Sequence, residues 1–186
     1  QILAKLCENN FTKEEKSKLF EHQSDNGENL MHFVAKEIEI GKLEEIFEVI
    51  KDNLGQPKLK SLMLSKNNVG WNFLHTFLMQ NVNLNKDICE FLLNFSEDNL
   101  SVEEIESILT SHDVNGNSMI FNVIFTNNSE IFKIIFAFCE KKLFRESFES
   151  ILRNRKGGRN ILEIAKNSKI YQTVVEETRK LLIVFD

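Results

Sequence analysis

Gly70-Trp71-Asn72-Phe73-Leu74-His75 occurs in altered spelling three more times in this protein of 186 residues. Gly27-Glu28-Asn29-Leu30-Met31-His32 precedes it. Gly116-Asn117-Ser118-Met119-Ile120-Phe121 and Gly158-Arg159-Asn160-Ile161-Leu162-Glu163 follow it. The glycines stand 43, 46 and 42 residues apart. A fixed period within roughly 20–50 residues marks a repeat array, in which each unit buries its apolar face only against its neighbours. Such an array builds surface rather than an enclosed pocket, so binding is the expected class of function.

The second unit shows how each phrase is used. Lys66-Asn67-Asn68-Val69-Gly70 is turn chemistry, since Asn tolerates the left-handed region and Gly permits positive φ. Asn72 precedes an apolar run and is expected to cap a helix over about 73–80 by accepting from free backbone N–H groups. Asn29, Ser118 and Asn160 hold the same place and carry the same expectation. A polar break over 81–85 ends this helix. A second helix is predicted over about 86–95, where Ile88, Phe91, Leu92 and Phe95 form one apolar stripe at i, i+3, i+4, i+7.

That stripe returns as Leu43, Ile46, Phe47 and Ile50, and as Ile131, Ile134, Ile135 and Phe138. A short third helix closes the unit, with Ser101 as N-cap, Glu104 completing a capping box, and Ile105, Ile108 and Leu109 as its buried edge. Its counterparts are Leu59-Leu62-Met63 and Phe148-Ile151-Leu152. Phe11 to Phe20, with Thr12 as cap and Glu15 three later, reads as the third helix of a preceding unit, and Ile2 to Cys7 as the tail of that unit's second helix. In the last unit the stripe of Val174, Val175, Leu181 and Leu182 is weaker and spaced differently.

The expected fold is all-α: an α-solenoid of about four repeats with an extra short helix in each. Residues 1–22 form a partial unit, and full units fall at about 23–64, 65–109, 110–152 and 153–186. Proline occurs once, at Pro57, and no Gly/Ser/Pro-rich linker divides the sequence. One continuous domain is expected. The chain begins at Gln1 in mid-pattern, so it reads as a fragment of a larger protein.

The phrase at 70–75, with Phe91-Leu92-Leu93 further on, resembles a divergent ankyrin repeat, whose pattern is Gly-x-Thr-Pro-Leu-His, two helices and a late Leu-Leu pair. Leu74-His75 matches the Leu-His directly, and Met31-His32 matches it more loosely. The likeness extends over about 19–182. The sequence departs from the pattern in its 42–46 residue spacing, where the family has about 33. Thr-Pro is replaced by Asn-Leu, Asn-Phe, Ser-Met and Asn-Ile, and the histidine by Phe121 and Glu163 in the later units. Three helices in about 43 residues also suit armadillo or HEAT units. The six- or seven-residue loop ending in Asn-Gly or similar suits a projecting ankyrin turn better. The resemblance implies that His32 and His75 tether adjacent loops by hydrogen bonds.

Composition narrows the chemistry. The net charge of −5 favours solubility without naming a partner. Residues 1–100 carry 11 basic and 16 acidic side chains, whereas 141–159 carries seven basic ones against Glu146 and Glu149. Lys141, Lys142, Arg145, Arg153, Arg155, Lys156 and Arg159 are read as a solvated face, with nucleic acid not expected as a partner. Cys7, Cys89 and Cys139 are too few and too scattered for a disulfide framework, which fits an intracellular setting, cytoplasmic or nuclear. No apolar run reaches the roughly 18 residues of a membrane span. His22 and His112 fall in loops without the convergent spacing a metal needs. Neither a phosphate-cradling loop nor a nucleophile motif occurs; Gly157-Gly158 belongs to a repeat turn. No cofactor, metal, small-molecule substrate or catalysis is expected.

The resemblance implies recognition through loop tips and the concave face of the first helices. The residue after each repeat glycine, Glu28, Trp71, Asn117 or Arg159, is expected to project and to carry specificity. Lys36, Glu37, Met79, Gln80, Phe125 and Thr126 are expected to line the inner face, where Phe33 and Phe125 would be unusual apolar groups. The expected function is a protein-interaction module. The alternative is a substrate- or host-targeting arm of an effector whose catalytic domain lies outside this segment.

Overall fold

The computed structural model describes residues 12–37, 42–81, 84–153 and 159–181. All regular elements among them are helices, and an isolated bridge pairs His112 with Ser118. In sequence order they are α1 (Lys13–Glu21), α2 (Leu30–Glu37), α3 (Leu43–Leu54), α4 (Gln56–Leu64), α5 (Phe73–Gln80) and α6 (Lys86–Asn99). They continue as α7 (Val102–Thr110), α8 (Met119–Phe125), α9 (Ser129–Lys142), α10 (Arg145–Leu152), α11 (Ile161–Ala165) and α12 (Tyr171–Lys180). The contacts form two compact units, 1–88 and 89–186, with the division inside α6. The proposed segment Ile2 to Cys7 lies outside the described residues.

Polar side groups fix most helix starts. Asn72 accepts from the backbone N–H groups of Leu74 and His75, and Asn29 does the same for Met31 and His32. Asn160 and Ser101 each close a full capping box, with Glu163 and Glu104. Thr12 and Glu15 exchange the same pair of bonds at the start of α1. Ser118 departs from the expectation. It has N-cap backbone angles, but its hydroxyl makes no bond to the helix. Ser118 is fully buried, and its backbone pairing with His112 holds the backbone at the start of α8 instead.

In the first unit α2 packs on α5. The pair α3 and α4 packs together, α2 also meets α4, and α1 lies against α2 and α3. Met31, Val34, Ala35, Ile50, Met63 and Phe73 are fully buried there. Asn81, in what reads as a polar break, is itself buried and donates from Nδ2 to the Ala35 carbonyl at 2.7 Å. It satisfies a carbonyl in the last turn of α2 that has no partner within its own helix.

In the second unit the same register appears as α8 on α11 and α9 on α12, with α7 and α10 also against α9. These neighbours bury α9 beyond its expected stripe: Phe132, Phe136 and Cys139 are buried, while Ile134 is only half-buried. The short helices bury the residues predicted for them: Leu59, Leu62 and Met63 in α4, Ile105, Ile108 and Leu109 in α7, and Phe148, Ile151 and Leu152 in α10. The helix predicted to end near Phe95 continues to Asn99. Ser96 and Asn99 back-bond to the carbonyls of Leu92 and Phe95, which keeps these polar residues inside the helix. In the last unit Val174 is buried, Val175 and Leu181 are half-buried, and Leu182 lies outside the described residues.

Candidate functional site

Three loops preceding first helices share one hydrogen-bonding scheme. In each, an opening residue donates its N–H to the carbonyl four residues on: Ser24 to Glu28, Asn67 to Trp71 and Asp113 to Asn117, each at 2.9 Å. Its own carbonyl accepts from the repeat glycine: Gly27 and Gly116 at 2.8 Å, Gly70 at 2.9 Å. Its side-group oxygen closes the turn from the other side. Ser24 Oγ accepts from Glu28 N, Asn67 Oδ1 from Val69 N and Trp71 N, and Asp113 Oδ1 from Asn115 N and Asn117 N. The three glycines have φ of +74°, +82° and +76°, a conformation that side-chain-bearing residues rarely adopt.

This scheme decides which residues project. The exposed pairs are Asp25-Asn26, Asn68-Val69 and Val114-Asn115, the two positions before each glycine. The residue after the glycine carries the carbonyl that closes the turn, so the backbone has already turned back toward the helix. The expectation for Glu28 and Asn117 is corrected accordingly. Glu28 is only 6% exposed, with Lys36 Nζ 3.9 Å from its carboxylate. Asn117 is 4% exposed and donates from Nδ2 to Asp113 Oδ2. Trp71 is half-buried, with its indole N–H turned inward. Of the four, Arg159 is exposed.

In the first unit the loops are tied to one another. Asn68 N–H donates to the Asn26 carbonyl and Asn68 Nδ2 to the Asp25 carbonyl, both at 2.9 Å. Asn68 lies so close over Gly27 that a Cβ there would sit 2.6 Å from its Oδ1. Beneath the tips, His32 donates from Nε2 to the Trp71 carbonyl at 2.8 Å, because that oxygen can only accept. Its Nδ1 lies 2.8 Å from Asn29 Oδ1 and 3.2 Å from Asn29 N, whose N–H donates to it in the neutral ring. The inter-loop tether implied by the resemblance is therefore present for His32. Burial pushes the His32 pKa down, against the opposing pull of the Trp71 carbonyl and the Glu28 charge. His75 is also buried, with Nδ1 3.0 Å from Asn72 Oδ1.

Phe125, at the end of α8, is 49% exposed, and Met79 and Gln80 are half-buried. Phe33 and Thr126 are half-buried, and the Glu37 side chain lies outside the described residues. Next to Thr126, Asn127 adopts φ +54° and accepts at Oδ1 from Lys169 N–H, linking the end of α8 to the turn before α12. Nothing in the repeat pattern singles out this residue. An Asn just past a helix end was its available signal.

The first three cations of the basic segment are engaged. Lys141 and Lys142 both bind Glu97, which holds its carboxyl below the usual range, Lys142 more strongly than Lys141. Arg145 reaches Glu149 and the Leu181 carbonyl. Arg153 and Arg159 are exposed; Arg155 and Lys156 lie outside the described residues. Cys89 and Cys139 are buried, and burial pushes both thiols up to about 12. They are packing groups rather than nucleophiles. Cys7 is not among the described residues. Among the described residues, no group of three or more metal-ligating side chains comes together, and no helix is long and apolar enough to cross a membrane. Compared with protein-family models, curated proteins and solved structures, the sequence and its fold match none.

Proposed function

We propose that this protein is a non-catalytic protein-interaction module, an array of ankyrin-like repeats that binds a protein partner through its loop tips. The observation that carries this reading is the repeated loop. One hydrogen-bonding frame is built three times, and the two positions it exposes differ each time: Asp25-Asn26, Asn68-Val69 and Val114-Asn115. A constant frame with variable exposed positions is suited to specific recognition, because the side groups change without disturbing the fold. The frame also holds the tips in place before binding, so less ordering entropy is lost on association. First-helix packing of α2 on α5 and of α8 on α11 supports the repeat reading. Half-buried Met79 belongs to the proposed surface of the first unit and exposed Phe125 and Arg159 to that of the second, and cytoplasm or nucleus is the proposed setting.

Photo-crosslinkers placed at Val69, at Val114 and, as a control outside the loops, at exposed Ser61 on α4 test the reading in an extract of the source cells. The expected result is one discrete protein captured from both loop positions and not from Ser61. Equal capture from all three positions, or capture from Ser61 alone, refutes it.

A further inference from the structure

Helix α7 carries three carboxylates, Glu103, Glu104 and Glu106, and no cation. The sequence around it is equally one-sided: from Glu90 to Glu140 nine acidic side chains stand against one basic one, Lys133. Glu103 and Glu106 line a groove of about 470 Å³ between α7 and α10 in the second unit. We propose that this groove docks a basic segment of a partner protein, one that carries Lys or Arg beside apolar side chains, and that it does so apart from the loop tips.

One bond organises the groove. Ser147 Oγ of α10 donates to Glu106 Oε1 of α7 at 2.6 Å, and Thr110 Oγ1 turns back onto the Glu106 carbonyl at 2.8 Å. Each helix presents an exposed apolar residue within about a turn of this bond. Val102 stands four residues before Glu106 and is 52% exposed. Phe144 stands three residues before Ser147 and is 71% exposed. Residues three or four apart share a helix face, so both apolar groups adjoin the groove. Single exposed apolar groups are ordinary, but two beside one groove form a patch of the kind that partners cover.

The lining sets the sign of the guest. Glu103 and Glu106 supply carboxylates, and Ser107, Thr110 and Ser150 supply hydroxyls; no Lys or Arg among the described residues lines the groove. The cations at the end of α9 and the start of α10 are held elsewhere. Lys141 and Lys142 bind Glu97, and Arg145 reaches Glu149 and the Leu181 carbonyl. Carboxylate and hydroxyl oxygens together can accept the several N–H groups of a guanidinium or an ammonium. An anionic partner, nucleic acid included, would meet like charge. A second copy of the chain meeting this face across a two-fold axis would set the same carboxylates opposite one another. A segment with a cation for the carboxylates and apolar groups for Val102 and Phe144 matches both features.

The probe is a displayed library of random short peptides, panned against the full chain. Selected peptides are then synthesised and titrated while backbone amides are followed by NMR. They are expected to carry Lys or Arg beside apolar residues and to shift the amides of Glu103, Ser107, Thr110 and Ser147. Glu103→Gln with Glu106→Gln is expected to weaken their binding about tenfold, through loss of two partly exposed ion pairs. Glutamine keeps an acceptor for Ser147 and removes only the charge. Should the double variant be misfolded by circular dichroism, Glu103→Gln alone decides, with an expected loss of about threefold. Recovery of no peptide, peptides without basic residues, shifts confined to the loops at Val69 and Val114, or unchanged affinity in the charge-neutral variant would each overturn the proposal. Self-association abolished by Phe144→Ser would assign the face to a second copy and overturn it as well. None of these outcomes touches the loop-tip reading, whose crosslinking positions lie outside the groove lining.

Discussion

Replacing His32 by alanine removes the imidazole that joins two loops of the first unit. The ring is fully buried, donates to the Trp71 carbonyl at 2.8 Å and accepts from Asn29 N–H at 3.2 Å. Alanine leaves the buried Asn29 N–H without this acceptor, and a stranded buried polar group costs about 1–3 kcal/mol. The Trp71 carbonyl keeps the Asn67 N–H as a donor, so the second loss lies at the lower end, about 1 kcal/mol. The vacated ring volume adds a cavity term, bringing the expected destabilisation to about 3 kcal/mol. The assay is urea unfolding followed by fluorescence. The protein has one tryptophan, Trp71, which is itself the partner, so the signal reports the perturbed region directly. A midpoint shift equivalent to less than about 0.5 kcal/mol, the range of an ordinary surface change, would refute the claim that this ring holds the loops together.

Burial lowers the His32 pKa below its value in the unfolded state, about 6.5. The unfolded state then binds more protons, so the stability of the first unit is full above about pH 6.5 and falls as the pH drops toward the lower folded value. Urea midpoints measured by Trp71 fluorescence between neutral and mildly acidic pH should decline, and His32→Gln should flatten that decline; an equal slope in the variant contradicts the assignment. Ser101→Ala should cost about 1 kcal/mol, because it removes a cap bond and half of a capping box. Ser118→Ala should cost less than about 0.5 kcal/mol, because its hydroxyl caps nothing. Matched urea titrations followed by circular dichroism compare the two, and equal losses would contradict the structural distinction.

The helices were legible because their periodicity and caps are local signals. The helix expected over 73–80 and the buried edges of α4, α7 and α10 are where the pattern places them. The tips were misassigned by two positions. Variation at Glu28 and Asn117 suggests exposure, whereas their carbonyls close the turn and both residues are buried. The available signal lay three residues before each glycine. Ser24, Asn67 and Asp113 are all residues whose side groups bond to backbone N–H groups ahead of them, which marks the two residues between as the tip. Asn81 reads as a helix breaker in the sequence because its task, capping the Ala35 carbonyl 46 residues away, depends on packing that no local window contains. Ser118 was read as a cap because serine is a good capping residue type, but its burial and pairing with His112 are tertiary facts.

Amide hydrogen exchange at Asn68 tests the tied-loop surface most directly. Asn68 is exposed at a loop tip, where an untied amide exchanges freely. Its N–H is nevertheless bonded to the Asn26 carbonyl at 2.9 Å. The predicted result is an Asn68 amide protected far beyond that of its equally exposed neighbour Lys66. An Asn68 amide exchanging as fast as that of Lys66 would contradict the frame on which the proposed binding surface rests.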